Sequence, residues 1–151
     1  MSFPITLHVL SAALWVGGMF FAYMALRPAA AQLLDPPQRL PLWVGTFKRF
    51  FPWVWLFVSV LPLTGYWMIF RNLGGMASVG MHVHLMQALG WLMILLYMHL
   101  YFAPFRRLKE AVIIADWPAA AKWLAQIRFI VGTNLLLGIL VIAIGAGGRY
   151  W

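Results

Sequence analysis

Apolar residues in this chain follow neither a helical nor a strand period but gather into four long runs, about residues 4–26, 50–70, 81–102 and 124–146. Short stretches between them hold nearly all of the charge. At about 1.5 Å per residue each run makes a helix slightly over 30 Å long, which matches the hydrocarbon core of a bilayer. The pattern predicts four membrane-crossing helices and no strand. Pro4 suits a first helical turn, where its missing N–H costs nothing, whereas Pro62 stands inside the second run and marks a kink. Gly132, Gly138 and Gly145 recur along the fourth run and allow close helix contact.

Composition settles the class. Hydrophobic residues make up 64% of the 151 residues and charged ones 9%, more apolar surface than a soluble domain of this length can hide. The absence of cysteine excludes disulfides, thiolate metal sites and cysteine nucleophiles. The net charge of +8 lies in the connections: 27–49 and 104–123 carry eight Lys and Arg, whereas 71–80 and the tail after residue 146 carry two. By the positive-inside rule the two basic loops, with Arg39 and Lys109, face the cytoplasm and both termini face outward. The basic residues therefore report topology, and the partner they imply is the lipid bilayer, not nucleic acid. The first run is too long for a signal peptide and lacks a basic n-region, so it reads as a retained helix. Residues 105–115 mix basic and apolar positions, as a short amphipathic surface helix does. The expectation is an all-α integral membrane four-helix bundle, a single transmembrane domain over residues 1–151, multi-pass in a bacterial inner membrane with both termini periplasmic.

Three of the four histidines lie in the run 81–102, whose interior has no charged residue. With the first and third runs parallel, His8 and His84 fall at similar depth and His82 lies slightly shallower. Residues two apart on a helix point about 200° apart, so His82 and His84 face different neighbours. His8 shares a face with Ser11, Ala12, Trp15, Gly18 and Met19, and His84 with Gln87, Ala88, Trp91, Leu95 and His99. His99 lies about 22 Å from His84 along the axis. Neutral imidazoles fixed across an apolar space suit axial ligation of haem iron. The expected haem b site takes its iron between His8 and His84 and packs Trp15 and Trp91 on the ring; Arg71 or Arg149 can pair with the propionates, and snorkelling membrane anchors account for them at least as well. A copper site is the alternative, with Met81, His82, His84 and Met86 supplying imidazole and thioether ligands and Met76 close by in the loop. Asn134, at a depth near His99, is expected to orient an imidazole, to bind a quinone headgroup, or simply to bond a neighbouring helix. Plain small-residue packing also accounts for the His8 face, and an interfacial belt accounts for most of the Trp and Tyr. No carboxylate lies within a run, which argues against an acidic proton relay.

The stretch LHVLSAALWVGGMFF resembles the opening helix of CopD-domain membrane proteins. MHVHLM, continuing to YMHLYFAPFRRL, and IRFIVGTNLLLGIL are similar to the same superfamily and to the related HemJ-type protoporphyrinogen oxidases. The likeness spans the chain, with its specificity in the histidines. It implies a four-helix protein that binds b-type haem, with His8, His82 and His99 at matching positions, while the CopD name implies copper uptake. The HemJ-type pattern on the third helix is His-x-Lys, and here His84 stands in place of the lysine, which favours a general haem b redox protein. The functional expectation is electron transfer or oxidoreduction linked to a quinone or tetrapyrrole, with a redox partner protein or a homodimer. As an enzyme, the chain would be a membrane oxidoreductase with haem b. A copper-binding or copper-uptake protein and a structural subunit of a larger membrane complex are the other two readings.

Overall fold

The computed structural model describes residues 2–150, without the Arg149 side chain. Helix α1 (Ser2–Phe21) continues through a π-helical segment, Ala22–Leu26, into α2 (Arg27–Leu33). Then come α3 (Pro36–Asn72), α4 (Met81–Phe102), α5 (Pro104–Ile113), α6 (Trp117–Gly147) and a 3-10 turn at Gly148–Tyr150. Among the described residues there is no strand, and four helical stretches are long and apolar enough to cross a membrane: Ser2–Leu33, Pro36–Asn72, Met81–Ile113 and Trp117–Gly147. The all-helical membrane architecture expected from the apolar runs is present. The protein is a multi-pass membrane protein whose solvent is the bilayer.

The third run, 81–102, coincides with α4, but the basic stretches expected as loops are largely helical. Between Arg27 and Arg49 only Leu34 and Asp35 leave helical geometry. Pro36 and Pro37 occupy the first turn of α3, where a missing N–H is harmless. Pro104 and Pro118 start α5 and α6 in the same way, and Asp116 caps α6 by accepting from the Ala119 N–H at 3.1 Å. At 37 residues α3 is about 55 Å long, well beyond one hydrocarbon thickness. It stays helical through Pro41, Pro52 and Pro62. Helix α5 is amphipathic as expected: Phe105, Leu108 and Ala111 are buried, while Arg106 and Glu110 pair outward at 3.1 Å.

Helices α1 and α3 form one closely packed pair and α4 and α6 a second, with α5 laid on α6 and the pairs joined through α1 and α6. Gly138 makes that junction: a Cβ there would stand 2.6 Å from Val16 Cγ2 and 3.2 Å from Met93 Cε. In a bilayer such close packing and interhelical hydrogen bonds, rather than apolar burial, hold helices together. Asn134 supplies one of these bonds, Nδ2 donating to the Met93 carbonyl at 3.1 Å in the bundle interior.

The two ends of the bundle are filled differently. Around Phe51 a dense aromatic cluster joins α1, α3, α4 and α5. Phe47 stacks on Phe51 at 5.0 Å, Phe105 meets Phe51 edge-on at 4.8 Å, and Tyr97 meets Trp55 at 5.3 Å. The Tyr97 hydroxyl donates to the Phe51 carbonyl at 3.1 Å. Such pairs contribute about 0.5–1.5 kcal/mol each beyond contact area. The other end, where α3 runs out and α4 begins, stays hollow.

Candidate functional site

The hollow end is a cavity of about 500 Å³ among α1, α3, α4 and α6. No charged side chain lines it, and its walls are thinned by Gly65, Gly90, Gly138 and Gly145. Gly90 has nothing within 4 Å of where a Cβ would stand, so that wall is open space. The Trp91 indole N–H donates to the Tyr66 hydroxyl at 3.0 Å, tying α4 to α3 at the rim. In the connecting loop Gly74 and Gly75 take φ +79° and +94°, conformations that favour glycine. The Gln87 amide reaches the Met76 sulfur of that loop at 3.5 Å.

Two histidines line this cavity: His8 from α1 and His82 from α4. His8 is held from behind. Its Nδ1 lies 2.9 Å from Thr64 Oγ1, and the Thr64 hydroxyl is 2.7 Å from the Val60 carbonyl. A hydroxyl has one proton, so when it goes to Val60 the Thr64 oxygen must accept, and His8 is the Nδ1–H tautomer. Its Nε2 then keeps a free lone pair. The ring edge rests on Gly65, where a Cβ would stand 3.3 Å from Cε1. His82 is seated between two glycines: a Cβ on Gly80 would lie 2.8 Å from its Nδ1, and one on Gly148 would lie 2.5 Å from its Cβ. An ordinary side chain at either glycine displaces the ring.

Of the two histidines expected opposite each other, His8 lines the cavity and His84 does not. His84 is partly buried but does not line the cavity, and Ala88, Leu95 and His99 beyond it on its face are exposed. The rotation of α4 explains this: its buried side runs through Met93, Tyr97 and Leu100, and the same stripe followed back toward the N-terminus reaches Gly90, Met86 and His82. The expected copper cluster is divided by the same rotation, with His82 and Met86 on the cavity, Met81 exposed and His84 turned aside. Among the described residues no three His, Cys, Asp or Glu side chains converge on one point. Trp15 and Trp91 both line the cavity, Trp15 buried and meeting Tyr97 edge-on at 6.4 Å.

Asn134 bonds the Met93 carbonyl, not His99, which is the ordinary helix-to-helix reading of that residue. Arg71 lies over the Trp67 ring at 5.7 Å, away from the cavity wall. The Arg149 side chain lies outside the described residues. Sequence reasoning passed over Thr64, Met68 and Met93. The first is the anchor of His8, and the other two bring thioethers to the cavity beside that of Met86. A Thr two residues after an interior proline was the one available signal for Thr64.

Residues 44–147, more than half of the chain, match the family model described as CopD, copper resistance protein D. The chain belongs to the CopD family. The match takes in the cavity walls contributed by α3, α4 and α6, and His82 with them, whereas His8 precedes it. No curated protein and no solved structure matches this CopD protein.

Proposed function

We propose that this CopD-family protein holds a b-type haem in the cavity at the His8 end and serves in membrane electron transfer. The observation that supports the reading is the arrival of two imidazoles, from α1 and α4, on one apolar, glycine-thinned cavity of about 500 Å³, a size ordinary for cofactor sites. Bound there, haem supplies one-electron redox chemistry. The chain's part is to offer His8 and His82 as neutral ligands, to fix the His8 tautomer through Thr64, and to keep water out with Trp15, Val16 and Met93. A metal-bound imidazole commonly donates its other N–H to a fixed acceptor, and the His8–Thr64 bond has that form. The electron partner is a quinone, a tetrapyrrole or a redox protein. By the charge count, the site opens on the periplasmic side of a bacterial inner membrane.

A copper-binding role is favoured by a separate observation. Met68, Met86 and Met93 line the same cavity as the two histidines, and thioether with imidazole is a ligand set that selects copper. The family's description points the same way. A copper route straight through the bundle is opposed by the aromatic cluster around Phe51, which packs the level beyond the cavity.

One preparation separates the readings. Protein purified in mild detergent from haem-replete, copper-supplemented cells is expected to show a Soret band, and sharp alpha and beta bands after dithionite. Colourless protein with one copper per chain selects the second reading, and colourless protein without metal sinks both.

A further inference from the structure

A second cavity, of about 270 Å³, lies among the π-helical segment, α2, α3 and α6, at the end of the bundle away from His8. Three arginines line it, Arg27, Arg39 and Arg128, and no acidic residue does. Among the described residues the one salt bridge is Arg106–Glu110, so none of the three is in a salt bridge. Three positive charges around one hollow between membrane helices attract an anion.

Arg128 is exposed, but Arg27 and Arg39 are not simply extended into water as membrane anchors. Arg27 lies over the Tyr23 ring at 4.3 Å, and Arg39 donates from Nη1 to the Leu34 carbonyl at 3.2 Å. Both are partly buried along the wall, with most of their N–H donors still unused. Tyr23 is itself seated on α6, where a Cβ on Gly132 would stand 3.0 Å from Cε2. The helix swells to π geometry at this wall, a distortion often found where a ligand binds.

The rest of the lining is apolar, with Leu40, Trp43, Phe47 and Val131 below the arginines. An anionic head on a hydrocarbon body fits both parts. A guanidinium fork matches phosphate oxygens, and basic pockets between membrane helices recognise phosphorylated lipid heads. We propose that this cavity binds the phosphate head of an anionic phospholipid, with the first part of an acyl chain against Trp43 and Phe47. The site shares no lining residue with the His8 cavity and does not depend on what that cavity holds.

The test uses the full chain, delipidated in nonionic detergent and read by native mass spectrometry with phosphatidylglycerol, phosphatidylcholine or inorganic phosphate. Phosphatidylglycerol is expected to be retained in preference to phosphatidylcholine. A basic residue beside an anionic lipid is worth about fivefold, so Arg39→Gln with Arg128→Gln is expected to lower that preference roughly thirtyfold. Arg39→Lys with Arg128→Lys keeps most of it. Ala125→Trp, which fills the cavity and leaves all three arginines in place, also loses retention, so the result does not depend on the glutamine pair folding well. Equal retention of the two lipids, or an unchanged preference in the glutamine pair or in Ala125→Trp, overturns the proposal. So does displacement of phosphatidylglycerol by millimolar inorganic phosphate, which would make the ligand a free phosphoanion.

Discussion

His82 and His84 are separated by a single residue yet have different surroundings, one lining the large cavity and the other turned from it. His82→Ala is expected to abolish the haem or copper signal of the purified protein, as His8→Ala should, while His84→Ala and His99→Ala keep it. Loss in His84→Ala with retention in His82→Ala would mean that α4 is rotated relative to the arrangement described. Thr64 provides a finer test. Thr64→Val keeps the shape of the side chain but removes the acceptor of the His8 Nδ1–H, so the ring can turn and change tautomer. Loss of such a partner typically weakens metal binding by 10–100-fold. Titrating the bound group against the variant should show that drop with the helical circular dichroism unchanged. An equal loss of helix would reduce Thr64 to a packing residue.

Glycines show how a helix can serve packing at one position and space at another. Gly138 sits where α6 touches both α1 and α4, and a larger residue must push Val16 or Met93 aside. Gly138→Val should therefore lower stability by about 1–3 kcal/mol, the usual cost of overpacking, read as a lower melting temperature in detergent. Gly90 on α4 is the opposite case, since nothing stands near its absent side chain. Gly90→Leu should leave the melting temperature unchanged or raise it, because glycine is a poor helix former, and should still eliminate the bound group by filling the cavity. A Gly90→Leu protein that binds as the wild type does would place the ligand elsewhere. The prolines follow the same positional logic. Pro36, Pro104 and Pro118 start helices in stretches that their composition marks as loops, because a basic, proline-containing segment and a helical first turn have overlapping residue preferences.

At the scale of the whole molecule, the contrast between an aromatic-packed level and the large cavity beside it sets what the bundle can do. The aromatic cluster of Phe47, Phe51, Trp55, Tyr97 and Phe105 locks α3, α4 and α5 together at one level, and the cavity with His8 and His82 occupies the other. Orientation in the membrane rests on charge. With Arg39 and Lys109 inside, a reporter active only in the cytoplasm should give no signal when fused to the C-terminus. Activity there would invert the protein and turn the His8 cavity toward the cytoplasm.

Four membrane-crossing helices were legible in the chain alone because a bilayer imposes one demand on every lipid-facing residue, and four apolar runs of spanning length satisfy it without any knowledge of neighbours. The histidines were legible as candidates on the same ground, as rare titratable groups in apolar surroundings. What the runs do not carry is rotation. A helix apolar on all sides has no polar face to point away from its neighbours, so α4 presents His82 and His84 to the reader alike. That choice is made only when Gly138 brings Val16 and Met93 together, Asn134 bonds the Met93 carbonyl, and Tyr97 enters the aromatic cluster. These three contacts on α4 turn the stripe from Met93 to Leu100 inward and carry His82 onto the cavity wall, because a helix is stiff and its faces rotate together.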